Sequence, residues 1–106
     1  MVSEQLFFGR NIPGSTATVT DVDWAKFLAD TVTPRFPAGL TVWRAEGQWR
    51  NKDGSIEKEG SFVIGLLHPD DPQSEKAVQE IMTEYKTRFR QEAVLRIRDT
   101  VRAQFW

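Results

Sequence analysis

The run Phe62-Val63-Ile64-Gly65-Leu66-Leu67 is apolar at every position except one glycine. A strand written this way has to be covered on both faces, because alternation with polar residues is what marks a face left to water. The chain offers only two stretches with helical periodicity to do the covering. Two helices screen one face of a small sheet, so this sequence must find something else for the other face.

The elements around that strand are legible. Residues 4–9 read as a short buried strand, and 10–19, with Pro13 and Gly14, as a loop. Thr20 with Asp21 and Asp23 predicts a helix start; Val22, Ala25, Leu28 and Val32 form a stripe flanked by Trp24 and Phe27. Pro34 disfavours helix at Thr33 and ends the element there. Residues 40–50 and 55–67 make one long hairpin turned at Asn51-Lys52-Asp53-Gly54. Asp70-Asp71-Pro72 opens the second helix, with Val78, Ile81, Met82, Tyr85 and Phe89 on one stripe. Residues 93–98 alternate as a last strand, with Leu95 and Ile97 on one side and Val94, Arg96 and Arg98 on the other.

The order β-α-β-β-α-β in one domain, 1–106, predicts an α+β ferredoxin-like plait. Its antiparallel sheet has order 4-1-3-2 and both helices lie on one face. A four-residue turn pairs Arg50 with Ser55 and sets Trp43 opposite Phe62. On that register the helices cover Thr41, Trp43, Ala45, Phe62 and Ile64. The open face then carries Leu40, Val42, Arg44, Glu46, Gln48, Glu59, Ser61, Val63 and Leu67, with Phe7, Val94, Arg96 and Arg98 beside them. Gly60 admits a bulge that would shift part of this pairing. A surface half apolar and half ionic predicts two sheets packed face to face in a homodimer, a dimeric α+β barrel with a partly polar space between them.

Composition narrows the chemistry. There is no cysteine, which removes disulfides, thiolate nucleophiles and Cys-type zinc sites, and a single histidine builds no His-rich metal site. No cofactor or metal is expected. The net charge of −1 gives no field to gather nucleic acid, and Glu46 and Glu59 on the sheet oppose it further. Charge is uneven: residues 86–106 hold six basic and two acidic side chains, +4, leaving −5 for the rest. No stretch approaches the ~20 apolar residues of a membrane helix. The start of the chain reads as cytoplasmic, or as exported if a leader has been removed.

Two groups stand out as candidate acids or bases. His68 ends the central strand just before the second helix, as a general base next to a carboxylate or as a bond to that helix's first turn. Glu59 faces Glu46 on the expected register. Two carboxylates that close either repel, share a proton or are neutralised by arginine, the setting for a tuned acid or a structural network. Arg44, Glu46, Trp49 and Arg96 are the expected ligand-binding residues around Glu59. Trp43 and Tyr85 read as core; Trp49, near the hairpin tip, reads as the wall of a ligand mouth or a subunit contact. The loop from Arg10 to Ser15 has neither a P-loop lysine nor a Gly-x-Gly-x-x-Gly pattern and carries little phosphate signal.

The strings Leu6-Phe7-Phe8-Gly9, Thr33-Pro34-Arg35-Phe36-Pro37-Ala38-Gly39-Leu40-Thr41-Val42, Gly47-Gln48-Trp49-Arg50 and Gln91-Glu92-Ala93-Val94-Leu95-Arg96 cover most of the chain. With them it resembles a family of small bacterial proteins catalogued as a domain of unknown function, many of them exported or lipoprotein-like. The resemblance implies an α+β plait and no particular activity. From the residues, the expectation is a small-molecule binding protein or cofactor-independent enzyme, using a carboxylate near an arginine on the open sheet face. The alternative is a non-enzymatic interaction module whose open face is only a contact.

Overall fold

The computed structural model describes residues 1–106. The sheet is built from β1 (Val2–Gly9), β2 (Thr41–Arg50), β3 (Ile56–His68) and β4 (Leu95–Thr100), all antiparallel, in the order β2-β3-β1-β4. Counted from the β4 edge this is 4-1-3-2. β3 is thirteen residues long and central, as its apolar run requires.

Helix α1 (Asp21–Phe27) starts with a reciprocal cap: Thr20 Oγ1 accepts from Asp23 N–H, and the Asp23 carboxylate accepts from Thr20 N–H, both at 3.0 Å. It runs into a π-helical turn, Leu28–Val32, closed by Thr33 N–H bonding to Leu28 O. Trp24, Phe27 and Val32 are buried while Val22 is 69% exposed, so the expected stripe through Val22 and Ala25 is rotated. The two aromatic rings bury more apolar area than Val22 and Ala25 offer, and they set which side faces inward. Helix α2 (Pro72–Phe89) is capped by Asp71, whose carboxylate accepts from Ser74 N–H, and buries Val78, Ile81, Tyr85 and Phe89. It ends at Arg90 in the left-handed conformation, φ 53°.

The core lies between these helices and one face of the sheet. Trp24 stacks on Phe62 at 4.4 Å between ring centres, and beside them Phe8, Phe27 and Tyr85 meet one another edge to face.

The hairpin register departs from the expected one by a single residue. Asn51 N–H bonds to Ser55 O, and Asp53 accepts from both the N–H and the hydroxyl of Ser55, so Ser55 belongs to a five-residue loop. Arg50 pairs with Ile56, Trp43 with Val63, Arg44 with Phe62, and Glu46 with Gly60. A one-residue slip exchanges the faces of one strand relative to its partner. Phe62 and Ile64 stay in the core as expected, but β2 turns over: Arg44 and Glu46 go to the helix side, and Trp43 goes to the open face. There Trp43 lies across Gly65, with a ring carbon 3.1 Å from where a side chain would begin. β4 is also reversed from expectation. Arg96 and Arg98 point to the helix side, where Arg98 pairs with Asp70, and Leu95 and Ile97 lie on the open face, 58% and 46% exposed. Arg44, Glu46, Arg96 and Arg98 thus leave the open face, which keeps Phe7, Val63 and Leu67 and gains Trp43, Trp49, Leu95 and Ile97 beside Ser3, Gln5 and Asp99, with Glu57 and Glu59 toward one end.

Candidate functional site

The concavity with most chemistry lies at the end of the open face where β3 runs on past β1. It is a cavity of about 870 Å³, floored by Phe7, Gly9, Ser61 and Leu95. The loop 11–17 walls it on one side, residues 91–93 on another, and the β2-β3 arm on a third. The loop is held by a bridge between Asn11 and Thr18, by Ile12 N–H bonding to Ala17 O, and by the Gln91 amide donating to Asn11 O at 2.8 Å. Trp49, 44% exposed, stands at the arm's edge of the cavity.

Glu59 is the titratable group with the most unusual surroundings here. Its carboxylate folds across Gly9: a Cβ on residue 9 would come within 2.6 Å of Oε1, so only glycine admits this conformation. Oε2 accepts from Asn11 N–H at 2.6 Å. Burial pushes the Glu59 carboxyl above its ordinary value; the Asn11 N–H pulls the other way and loses, and the charge of Glu57, two residues along the same face, adds to the rise. No arginine or lysine forms an ion pair with it. Directly behind, the Tyr85 hydroxyl donates to Gly9 O at 2.6 Å, and burial, helped by Glu59, holds that phenol well above its ordinary range. Gly9 thus carries the carboxylate on its bare side and the tyrosine on its carbonyl.

The other residues singled out from sequence are elsewhere. His68 is 4% exposed at the far end of β3, nine residues or roughly 30 Å along the strand from Glu59. Its Nε2 lies 2.7 Å from Glu4 Oε2 and its Nδ1 2.6 Å from Pro69 O. Both ring nitrogens are thus engaged, one by a carboxylate and one by a backbone carbonyl. Arg96 grips Glu4 with two bonds of 2.7 Å and Glu75 with a third of 2.6 Å. Burial raises the fully enclosed Glu4 carboxyl, but the Arg96 and His68 bonds outweigh it and the net direction is down; the bonds to Glu4 and Glu75 push Arg96 up. This is a closed network with every polar atom satisfied. Arg44 pairs with Asp21 at 3.0 Å and lies over the Phe62 ring on the helix side, and Glu46 is on that side too. The structure thus brings Glu59 and Trp49 together and separates them from His68, Arg44, Glu46 and Arg96. No three His, Asp or Glu side chains converge as a metal would require, and no helix is long and apolar enough to cross a membrane.

Gly9 and Glu57 were not expected at a site, and Asn11 only as part of the Arg10–Ser15 loop. The one available signal was Phe7-Phe8-Gly9, a glycine closing a strand where the neighbouring chain needs close approach.

The family model described as "Protein of unknown function (DUF3574)" matches residues 3–105. The chain belongs to this family. Among curated proteins none matches it. Solved structures that share its fold include two of a phage SAM lyase. A phage SAM lyase in complex with S-methyl-5′-thioadenosine is 23% identical with a TM-score of 0.70, over 92% of this chain and 79% of that one. A phage SAM lyase in the apo state is 21% identical with a TM-score of 0.68, over 92% of this chain and 78% of that one.

Proposed function

We propose that this DUF3574 chain binds a small organic molecule in the cavity at Glu59 and exchanges a proton with it through that carboxyl. Two copies of the chain are proposed to meet across their open sheet faces around the site. The observation that carries the reading is Glu59 itself: a carboxyl raised by burial, held by a single backbone N–H, and bordering a cavity. A carboxyl displaced toward neutral pH gives and takes a proton more readily at physiological pH than an ordinary surface glutamate. Trp49 and Phe7 offer aromatic surface for a planar group. The fold shared with a phage SAM lyase that holds S-methyl-5′-thioadenosine supports a thioether nucleoside as the first ligand class to test.

The test is calorimetric titration with S-methyl-5′-thioadenosine, S-adenosylmethionine and adenosine in two buffers of different ionisation enthalpy. The expected result is saturable binding with a buffer-dependent heat. Glu59→Gln removes the buffer dependence and Trp49→Ala weakens binding roughly tenfold. Absence of binding to the native chain, or Glu59→Gln behaving as the native chain does, overturns the proposal. The exposed Trp43, Leu95 and Ile97 favour a second reading, a pure contact surface. That reading predicts self-association that responds to substitutions at these residues and no heat with any of the three ligands.

A further inference from the structure

Both ends of the open face overhang the sheet. At one end β2 and β3 continue for five pairs, from Glu46 opposite Gly60 to Arg50 opposite Ile56, beyond Gly9, the last residue of β1. This two-stranded arm shows Trp49, Glu57 and Glu59 on its open-face side. A free two-stranded ribbon is marginal in water. At the other end β4 stops pairing at Thr100 opposite Val2, and after Val101, which bonds to Met1 O, residues 102–106 run on without a partner strand. They carry Arg102, Phe105 and Trp106, the two aromatics 89% and 102% exposed. One overhang is aromatic and acidic, the other aromatic and basic, and neither Glu57, Glu59 nor Arg102 has an ion pair within the chain.

The geometry points to a second copy of this chain as the occupant, packed face to face and antiparallel, so that segment 101–106 of one protomer covers the arm of the other and completes the Glu59 site. Within one chain the two overhangs cannot meet. Glu57 and Arg102 lie beyond opposite ends of the sheet, about 43 Å apart at ~3.3 Å per residue, close to the full 46 Å length of the molecule. The arm continues β2-β3 and the segment continues β4 at the opposite edge, so a twofold axis in the plane between the sheets, tilted roughly 15° from the perpendicular to the strands at ~4.8 Å per strand, brings arm over segment and segment over arm at once, as an isologous interface requires. Four strands at ~4.8 Å and a length of ~25 Å give roughly 500 Å² of face per protomer. Two such faces reach about 1,000 Å², near the floor for a specific interface, and the two arm–segment contacts carry it into the standard range. Charge agrees with this: the partner's Arg102 comes to Glu57 and Glu59, which find no cation in their own chain, and the partner's Phe105 and Trp106 lie against Trp49. This deepens the proposed ligand site by naming what closes it, and rests on that reading only for its chemical consequence.

The test is sedimentation of the native chain and of Arg102→Glu, Glu57→Arg and the double reversal, with melting curves to confirm folding. The expected results are a two-copy species for the native chain, roughly tenfold weaker association for each single reversal, and recovery in the double. Because the chain has no cysteine, a second measurement is open: the double variant Glu57→Cys, Ala103→Cys should form covalent dimers with a bismaleimide far faster than either single variant. A monomeric native chain, any stoichiometry other than two, association indifferent to Arg102→Glu, or single cysteines cross-linking as fast as the pair overturns the inference. If association fails while thioether nucleosides still bind, the inference falls and the ligand site stands; if association holds and nothing binds, the reverse.

Discussion

Replacing Glu4 by Gln probes the one buried ionic cluster. Glu4 is 1% exposed and accepts three bonds of 2.7 Å, two from Arg96 and one from His68. Each charge-assisted bond contributes about 1.5–3 kcal/mol, against a desolvation cost of several kcal/mol per buried ion. Gln keeps the shape and one acceptor, but turns an N–H₂ donor toward groups that are themselves donors. Breaking such a pair from one side costs about 3–5 kcal/mol, out of a total stability of about 5–15 kcal/mol. A loss of that size lowers the melting temperature by roughly 10–30 °C in a chain this short. The assay is urea unfolding of both proteins across acidic to neutral pH. In the native fold the Glu4 carboxyl sits below its ordinary value of 4.5, so on acidification the unfolded chain takes up this proton first. The stabilisation is therefore full above pH 4.5 and fades as pH falls toward the folded-state value. The gap between native and Glu4→Gln should narrow in that window. A deficit under about 1 kcal/mol at neutral pH, or a gap that does not change on acidification, refutes the reasoning.

Three further outcomes follow from single contacts. Tyr85→Phe removes the 2.6 Å donor to Gly9 O and should cost about 1–2 kcal/mol in chemical unfolding, since the carbonyl stays buried without it. Gly9→Ala places a methyl 2.6 Å from Glu59 Oε1; the flexible carboxylate swings away, so the melting temperature should hold while ligand affinity and the Glu59 proton exchange are lost in calorimetry. Arg90→Gly relieves a left-handed backbone at φ 53° and should raise stability by about 0.5–1 kcal/mol in the same urea assay.

Much of the architecture was legible because it rests on local rules. Thr20 and Asp71 capped the helices where the sequence placed them, Tyr85 and Phe89 faced the core, and β3 was central. The site was less legible. Its arrangement turned on one residue in a loop: Ser55, drawn into the turn by Asp53, moved the register and carried Arg44 and Glu46 away from Glu59. The side chains of Asn51–Ser55 are compatible with either loop length, and only their mutual hydrogen bonds choose.

The sequence by itself determined the order of elements, the apolar central strand and the excess of sheet surface over helix cover. These depend on periodicity, caps and composition, which act between near neighbours. Tertiary structure alone decided which side of β2 and β4 faced the helices, that His68 would be enclosed with Glu4 and Arg96, and that Glu59 would lie on Gly9. The side of β4, the Glu4–His68–Arg96 cluster and the seat of Glu59 are set by contacts between residues 50 or more positions apart, and the side of β2 by the turn at Asn51–Ser55, where one shift in pairing reverses a face.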